Sequence, residues 1–418
     1  GTDDQSSSWP SGFAASAWVC VGGCQDDSDT ITLAPGETAT CTISNNDIEP
    51  GLTLVKQVTN DSGGTAVPSD WILIANGPTG FIGTGPSVSN GVNFQAGTYH
   101  LSESGPGGYT ASAWACVGGS QNDGDTITLA PGESAVCTLS NDDIPPSLTL
   151  IKQVVNNNGG TAVAANWTLT ATGPSGFSGA GPTVSSGVGF LSGTYDLSEA
   201  GPSGYNATVW TCDGGSQIDG DSVIVAPGQA VTCTIINDDQ GPGLTLIKQL
   251  INDNGGDAVA ADWTLTAVGP SGFSGNGPMV SNGTGFIAGT YDLSENGPAG
   301  YNASDWVCVG GTQDDADTIT LNLDESASCT ITNNDIQPGL TLVKQVTNDN
   351  GGNGAPSDWT LTAIGPTGFS GNGPSISNGA NFQTGTYDLS EAGPAGYTAA
   401  PWVCVGGTQE DADTITLA

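Results

Sequence analysis

The chain repeats itself at a fixed step. The segment LTLVKQV, or a one- or two-residue variant of it, places its lysine at Lys56, Lys152, Lys248 and Lys344, each 96 residues after the last. Cys20, Cys116, Cys212, Cys308 and Cys404 keep that step, as do Glu103, Glu199, Glu295 and Glu391 of the LSE triplets. Such self-similarity constrains the fold before any propensity does, because each period must be one structural unit. A unit of about 100 residues is large enough to bury a core of its own. The register gives three complete units at 51–146, 147–242 and 243–338, a partial unit at 1–50, and one at 339–418 that lacks its last strand. Partial units at both ends suggest a window on a longer array, or a subunit completed by its neighbours. The opening GTDDQSSSWP is neither basic nor apolar, so any signal peptide is expected to have been removed or to lie outside the sequence.

Alternation and punctuation fix the class of each unit. Leu52, Leu54, Lys56 and Val58 share one face of a period-2 strand. A turn follows at Asn60–Gly64, which reads NDNGG at 252–256 and 348–352. A strand opening on tryptophan comes next, then GPSGFSGNGP, read as turn chemistry throughout. A strand ending GTYDLSE leads through GPAGY to AWACVGG, DTITLAPG and SAVCTLSND. Short β-branched strands every ten residues or so, with no helical period, predict an all-β immunoglobulin-like sandwich. The boundaries DIEPG, DIPPS, DQGPG and DIQPG are short and proline-bearing, so the modules are expected to stack as a rod.

Charge excludes whole classes of partner. Forty-two acidic residues face four basic ones, a formal net charge of −38. Nucleic acid and anionic membrane both require a basic surface, which this chain lacks. No stretch approaches the apolar length of a membrane span. The acidic turns QDDSDT, QNDGDT, QIDGDS, QDDADT and QEDADT offer hard oxygens to calcium without an EF-hand pattern; otherwise no cofactor is expected. Sequons stand at Asn166, Asn206, Asn282 and Asn302.

Two cysteines recur per unit, 21 positions apart: Cys20 with Cys41, Cys116 with Cys137, Cys212 with Cys233, Cys308 with Cys329. One faithful pair per module reads as a disulfide framework and an oxidising compartment, since zinc wants four clustered ligands and the chain has a single histidine. Cys404 lacks its mate within the sequence. Cys24 stands where other modules have Ser120, Ser216, Thr312 and Thr408, and fits an intermolecular bridge, a free thiol or an alternative partner for Cys41.

The sole lysine of each unit falls on an apolar face. Glu103 follows Tyr99 and Leu101 inward, and Asn141 follows Cys137 and Leu139. Burial disfavours the charged forms, drawing a lysine toward a neutral amine and a glutamate toward a neutral acid. Two readings then fit the trios Lys56–Glu103–Asn141, Lys152–Glu199–Asn237 and Lys248–Glu295–Asn333. One is amine attack on the carboxamide, with the glutamate as acid and base, giving an isopeptide bond. The other is a buried ion pair with asparagine satisfying leftover hydrogen bonds.

The run GTYDLSEAGPAGY at 385–397 resembles the glycine-tyrosine, Leu-x-Glu, x-Pro-x-Gly-Tyr signature of collagen-adhesin B-type domains, also called SpaA-like or prealbumin-like. These occur in bacterial surface adhesins and pilins. The resemblance implies a prealbumin-like fold and the isopeptide reading, with Lys56, Glu103, Asn141 and their copies matching the family's reactive trio in order. Two departures stand: the family does not generally add this disulfide, and the first fragment has Ser7 and Phe13 in place of Glu103 and Tyr109.

The implied function is a structural repeat of a secreted filament, stalk or bacterial surface fibre that self-associates into an array. A ligand-binding adhesin whose repeats form the stalk is the alternative. An enzyme is disfavoured: His100 stands where other modules carry Asp196, Asp292 and Asp388, and the only reaction implied is single-turnover self-crosslinking, in which Glu391 would serve the last module. Lys344 has no asparagine of its own module within the sequence, and Asn45 has no lysine, so a Lys344–Asn45 bond between subunits is a conceivable head-to-tail link.

Overall fold

Ten strands alternate along residues 51–143, and their side-chain parity sorts them into two sheets facing across one core. The protein is seen here as a computed structural model that describes residues 2–4, by backbone only, and 10–418. Ser7 lies outside the described residues. One compact unit comprises 1–153, 164–201 and 208–236, and a second comprises 154–163, 202–207 and 237–418.

Within the first unit, the sheet that carries the chain ends of its module runs Ser87–Ser89, Gly51–Thr59, Ser134–Asp143 and Tyr109–Ala111, with Ala115–Val117 also on Ser134–Asp143. The facing sheet runs Phe81–Thr84, Ile72–Asn76, Gly97–Ser104, Thr126–Leu129 and Ser120–Gln121. All neighbours are antiparallel except one: the first strand, Gly51–Thr59, and the last, Ser134–Asp143, run parallel with Leu54 opposite Cys137. Leu52, Leu54, Leu73, Tyr99, Ile127 and Cys137 are among the residues that close the core. In the second unit residues 243–335 repeat this pattern, with Gly243–Ile251 parallel to Ser326–Asp335. The same order of strands returns over 147–239. The fold class is therefore all-β, in repeated sandwich modules of about 96 residues.

Two local readings change. The run GPSGFSGNGP and its copies are not turn throughout, for Phe81–Thr84, Phe177–Ala180, Phe273–Asn276 and Phe369–Asn372 are strands paired to the tryptophan strand. Pairing satisfies backbone groups that the tryptophan strand would otherwise leave at an open edge. The glycine inside each is a packing choice, since a Cβ on Gly83 would stand 2.8 Å from a Val88 methyl. The Gly-Pro that ends each run is cis, at Gly85–Pro86, Gly181–Pro182, Gly277–Pro278 and Gly373–Pro374. The chain also makes single 3-10 turns, such as Pro68–Asp70 and Ala260–Asp262, just before the tryptophan.

Candidate functional site: a buried lysine, glutamate and asparagine

Parity puts the lysine inside. A period-2 strand that buries Leu52 and Leu54 must also bury residue 56, and Lys56, Lys152 and Lys248 are all within the core. The first wall of the site is aromatic. Lys56 Nζ lies 4.8 Å from the centre of the Trp71 ring, Lys152 Nζ 4.8 Å from Trp167 and Lys248 Nζ 4.7 Å from Trp263. Each tryptophan is held from behind. A Cβ on Gly105 would come within 2.3 Å of the Trp71 ring, and Tyr109 meets that ring edge-on at 5.2 Å. The first glycine and the tyrosine of the LSExGPxGY run therefore position the tryptophan that roofs the amine.

The glutamate supplies the counter-charge. Lys56 Nζ stands 2.7 Å from Glu103 Oε2, Lys152 2.7 Å from Glu199 and Lys248 2.6 Å from Glu295. The Lys248 contact has hydrogen-bond geometry, whereas Lys56 and Lys152 meet their carboxylates off the hydrogen-bonding line. Burial pushes all three lysines below the ordinary value of 10.5, and the adjacent glutamate carboxylate only partly opposes it.

Register delivers the asparagine. Leu139 is opposite Lys56 and Asn141 is opposite Val58 on the parallel neighbour, so Asn141 is the diagonal neighbour of the lysine on the same face. Its Nδ2 donates to Glu103 Oε1 at 2.7 Å. One carboxylate thus holds the amine on one oxygen and the carboxamide on the other. In the second unit Ile331 is opposite Lys248 and Asn333 opposite Leu250, which repeats the diagonal. Asn237 and Asn333 are buried like Asn141.

The amide oxygens of Asn141, Asn237 and Asn333 are buried and accept no hydrogen bond. An unsatisfied buried carbonyl costs about 1–3 kcal/mol. Turning the Asn141 amide over would bring Oδ1 beside Glu103 Oε1, where a proton on the carboxyl would serve both oxygens. The heavy atoms fit either orientation. The two differ in where one proton resides: charged lysine with carboxylate, or neutral amine with glutamic acid aimed at the carbonyl.

The remaining expected residues fall as follows. Lys344 meets Glu391 and stands 4.9 Å from Trp359, but its side chain is 15% exposed where that of Lys56 is fully covered. It lies just past the strand Thr341–Val343, which pairs only with Ser375–Ser377 among the described residues. Asn45 is exposed in Asn45–Asp47, paired with Phe13–Ala15. The disulfides Cys20–Cys41, Cys116–Cys137, Cys212–Cys233 and Cys308–Cys329 each join directly opposed residues. Cys24 is an exposed free thiol and Cys404 a half-buried one. His100 is exposed, with Thr126 Oγ1 3.1 Å from its Nδ1. In the acidic turns Asp123, Asp219, Asp315 and Asp411 each accept the N–H two residues on, so these carboxylates brace their own turns.

Sequence reasoning missed a second buried acid. Asp143, two residues beyond Asn141, accepts the N–H groups of Asp61, Ser62 and Gly64 at 3.0, 3.0 and 2.6 Å. Asp239 and Asp335 do the same for their own NxxGG turns. Asp61, Asp142 and Asp143 bring carboxylate oxygens within 4.8 Å of one another, yet those of Asp143 are spent on amides. The signal was available in the recurrence of aspartate at 143, 239 and 335, on the parity of the asparagine. The roofing tryptophan was likewise read only as a strand opener.

Among the described residues no helix is long and apolar enough to cross a membrane. No curated protein matches the chain. Among solved structures, the Bacillus anthracis TIE protein matches at 12% identity and a TM-score of 0.44, over 95% of this chain and 69% of that one. The pilus adhesin SpaC from Lactobacillus rhamnosus GG matches at 13% identity and a TM-score of 0.24, over 73% of this chain; the match spans 47%, about half, of the adhesin. Two B repeat units of the collagen binding protein of Staphylococcus aureus match at 12% identity and a TM-score of 0.21, over 83% of this chain and 94% of that one. A family model, described as a prealbumin-like fold domain, matches five times, at residues 1–43, 47–139, 143–235, 239–331 and 335–418. With those matches spanning nearly its whole length, the chain belongs to the prealbumin-like fold domain family.

Proposed function

We propose that this chain is a structural repeat protein of an extracellular filament, stalk or bacterial surface fibre, in which modules at 51–146, 147–242 and 243–338 each lock themselves with a Lys–Asn isopeptide bond beside the disulfide. The observation that carries this reading is the carboxylate of Glu103, which touches the Lys56 amine with one oxygen and the Asn141 carboxamide with the other.

The reaction uses that arrangement directly. Proton transfer from the ammonium to Glu103 leaves a neutral amine, which burial already favours. The amine nitrogen attacks the carboxamide carbon while the glutamic acid hydrogen-bonds the oxygen on which charge develops. Glu103 then carries the proton lost by Nζ to the departing nitrogen. The C–Nδ2 bond breaks, the Nζ–C bond forms, and one ammonia leaves with no oxidant or cofactor. The roof of Trp71 keeps water from competing and holds the amine in line. Such a site turns over once, and its product is a permanent tie between first and last strands.

A tie of this kind suits a load-bearing array. It closes a loop of roughly 86 residues, stabilising the module by about 4–5 kcal/mol on loop-entropy grounds. Intact mass of the oxidised full chain is the test, since each bond removes about 17 Da and each disulfide two hydrogens. The expected spectrum shows three ammonia losses, reduced to two by Glu103→Ala. A chain at its full calculated mass after allowance for disulfides would refute the proposal.

A further inference from the structure

Asp143, Asp239 and Asp335 are the buried acids that the lysine chemistry does not use. Their exposures are 3%, 2% and 6%, and no lysine faces them, since each module's lysine is engaged by its glutamate. Backbone N–H groups hold each carboxylate, and at Asp335 the Asn254 side-chain amide adds one more donor at 3.3 Å. The turn residues Asp61, Ser62 and Gly64 point their N–H groups at Asp143 around Gly63, which has a left-handed φ of +88°. Asp239 is held around Gly159 at φ +98°, and Asp335 around Gly255 at φ +90°. Successive amides in such a concave turn form an anion-binding nest, here filled by the protein's own last strand.

The outer side of the same turn touches the next module. Ser192 N–H donates to Ser62 O at 2.8 Å, Ala288 N–H to Asn158 O at 2.8 Å, and Thr384 N–H to Asn254 O at 2.8 Å. Thr384 Oγ1 adds a bond to Gly255 O at 2.7 Å. The approach is close enough to demand glycine, since a Cβ on Gly159 would stand 2.9 Å from an Ile287 methyl and one on Gly63 2.8 Å from Ser192. The residues after Asp143 and Asp239 engage the next module as well. Ile144 N–H donates to Gly108 O of its own module, and Ile144 O accepts from Gly228 N–H of the next; Gln240 does the same between Gly204 and Asp324.

From this we infer that Asp143, Asp239 and Asp335 are positioning residues for the joints between successive modules: each carboxylate sets the turn whose carbonyl the next module grips. The claim deepens the array reading but does not depend on the isopeptide bond, because every contact in it is a hydrogen bond distinct from the lysine site.

Hydrogen exchange on the oxidised full chain carrying Asp239→Asn tests it. The variant replaces an acceptor with a donor facing the amides of the turn, so Asn158 and Gly160 should lose protection. The decisive amide is Ala288, in the next module. It should exchange at least about tenfold faster while Leu265, in the core of that next module, stays protected and intact mass is unchanged. A role confined to the aspartate's own module would leave Ala288 slow, and that result overturns the proposal. Should Asp239→Asn unfold its module, seen as lost protection at Leu169, Gly159→Ala supplies the second arm. It leaves the carboxylate in place and drives a methyl at Ile287, so Ala288 should again be released; unchanged Ala288 exchange there overturns the proposal equally.

Discussion

Lys248 shows how a single side chain can be both a liability and the purpose of its site. Its amine is enclosed by Trp263 and Glu295, and burial lowers its pKa despite the glutamate. In the full chain carrying Asn333→Ala, the module at 243–338 cannot close its bond and Lys248 remains titratable. The unfolded lysine then binds a proton up to about pH 10.5, whereas the folded one releases it lower. Between those two values the unfolded state carries more protons, so stability should rise with pH through that window and level off above it. Urea midpoints for this module, followed by its Trp263 and Trp306, should climb accordingly; a flat or falling profile would show that the amine is not disfavoured by burial. Much of this residue-level logic was legible beforehand, because parity alone sends Lys56, Glu103 and Asn141 inward. The inward placement of Asp143 was legible in its recurrence and parity, but its partners in a turn roughly 80 positions away were not, nor was the place of Trp71 over the amine, since one sequence carries no direct signal of such pairings.

At the scale of strands, the parallel pairing of first and last is the feature on which the rest turns. It makes Asn141 diagonal to Lys56, and the last strand also holds Cys137, so one element carries the disulfide, the buried carboxamide and the turn-binding aspartate in sequence. The disulfide and the proposed isopeptide tie are therefore separable. Replacing both Cys308 and Cys329 with alanine should cost the module about 3 kcal/mol by the loop-entropy model for a bridge of this span. The ammonia loss assigned to Lys248 should persist, read by denaturant unfolding and intact mass on the same sample. Disappearance of that loss would mean the lysine site needs the disulfide to assemble. The succession of six of the strands was readable from the spacing of β-branched runs and turns. The short strands Phe273–Asn276, Met279–Ser281, Tyr301–Ala303 and Thr312–Gln313 were not; the first has the glycine and serine content of a loop, although Phe273 packs against the core and Gly275 lies against Val280.

Across the whole chain, the consequence of a first-to-last tie is mechanical. A stretching force enters a module at its first strand and leaves at its last, so a Lys152–Asn237 bond would bypass nearly everything between. A locked module has almost no hidden length to release, whereas an unlocked one does. Extended chain spans at most about 3.6 Å per residue. An unlocked module of about 96 residues with its disulfide intact shields roughly 20 of them, which leaves about 270 Å to pay out. Pulling the chain carrying Asn237→Ala between handles at residues 51 and 338 should therefore add one long step of about 270 Å that the parent lacks, and reduction should lengthen that step by about 70 Å. The modules at 51–146 and 243–338 should stay closed in the same trace and serve as internal controls. If the parent chain itself yields three such steps, the strands are joined by hydrogen bonds alone and the array would creep under sustained load. If it yields none, the buried lysine of each complete module has been converted from a cost in folding into the reason the chain keeps its length.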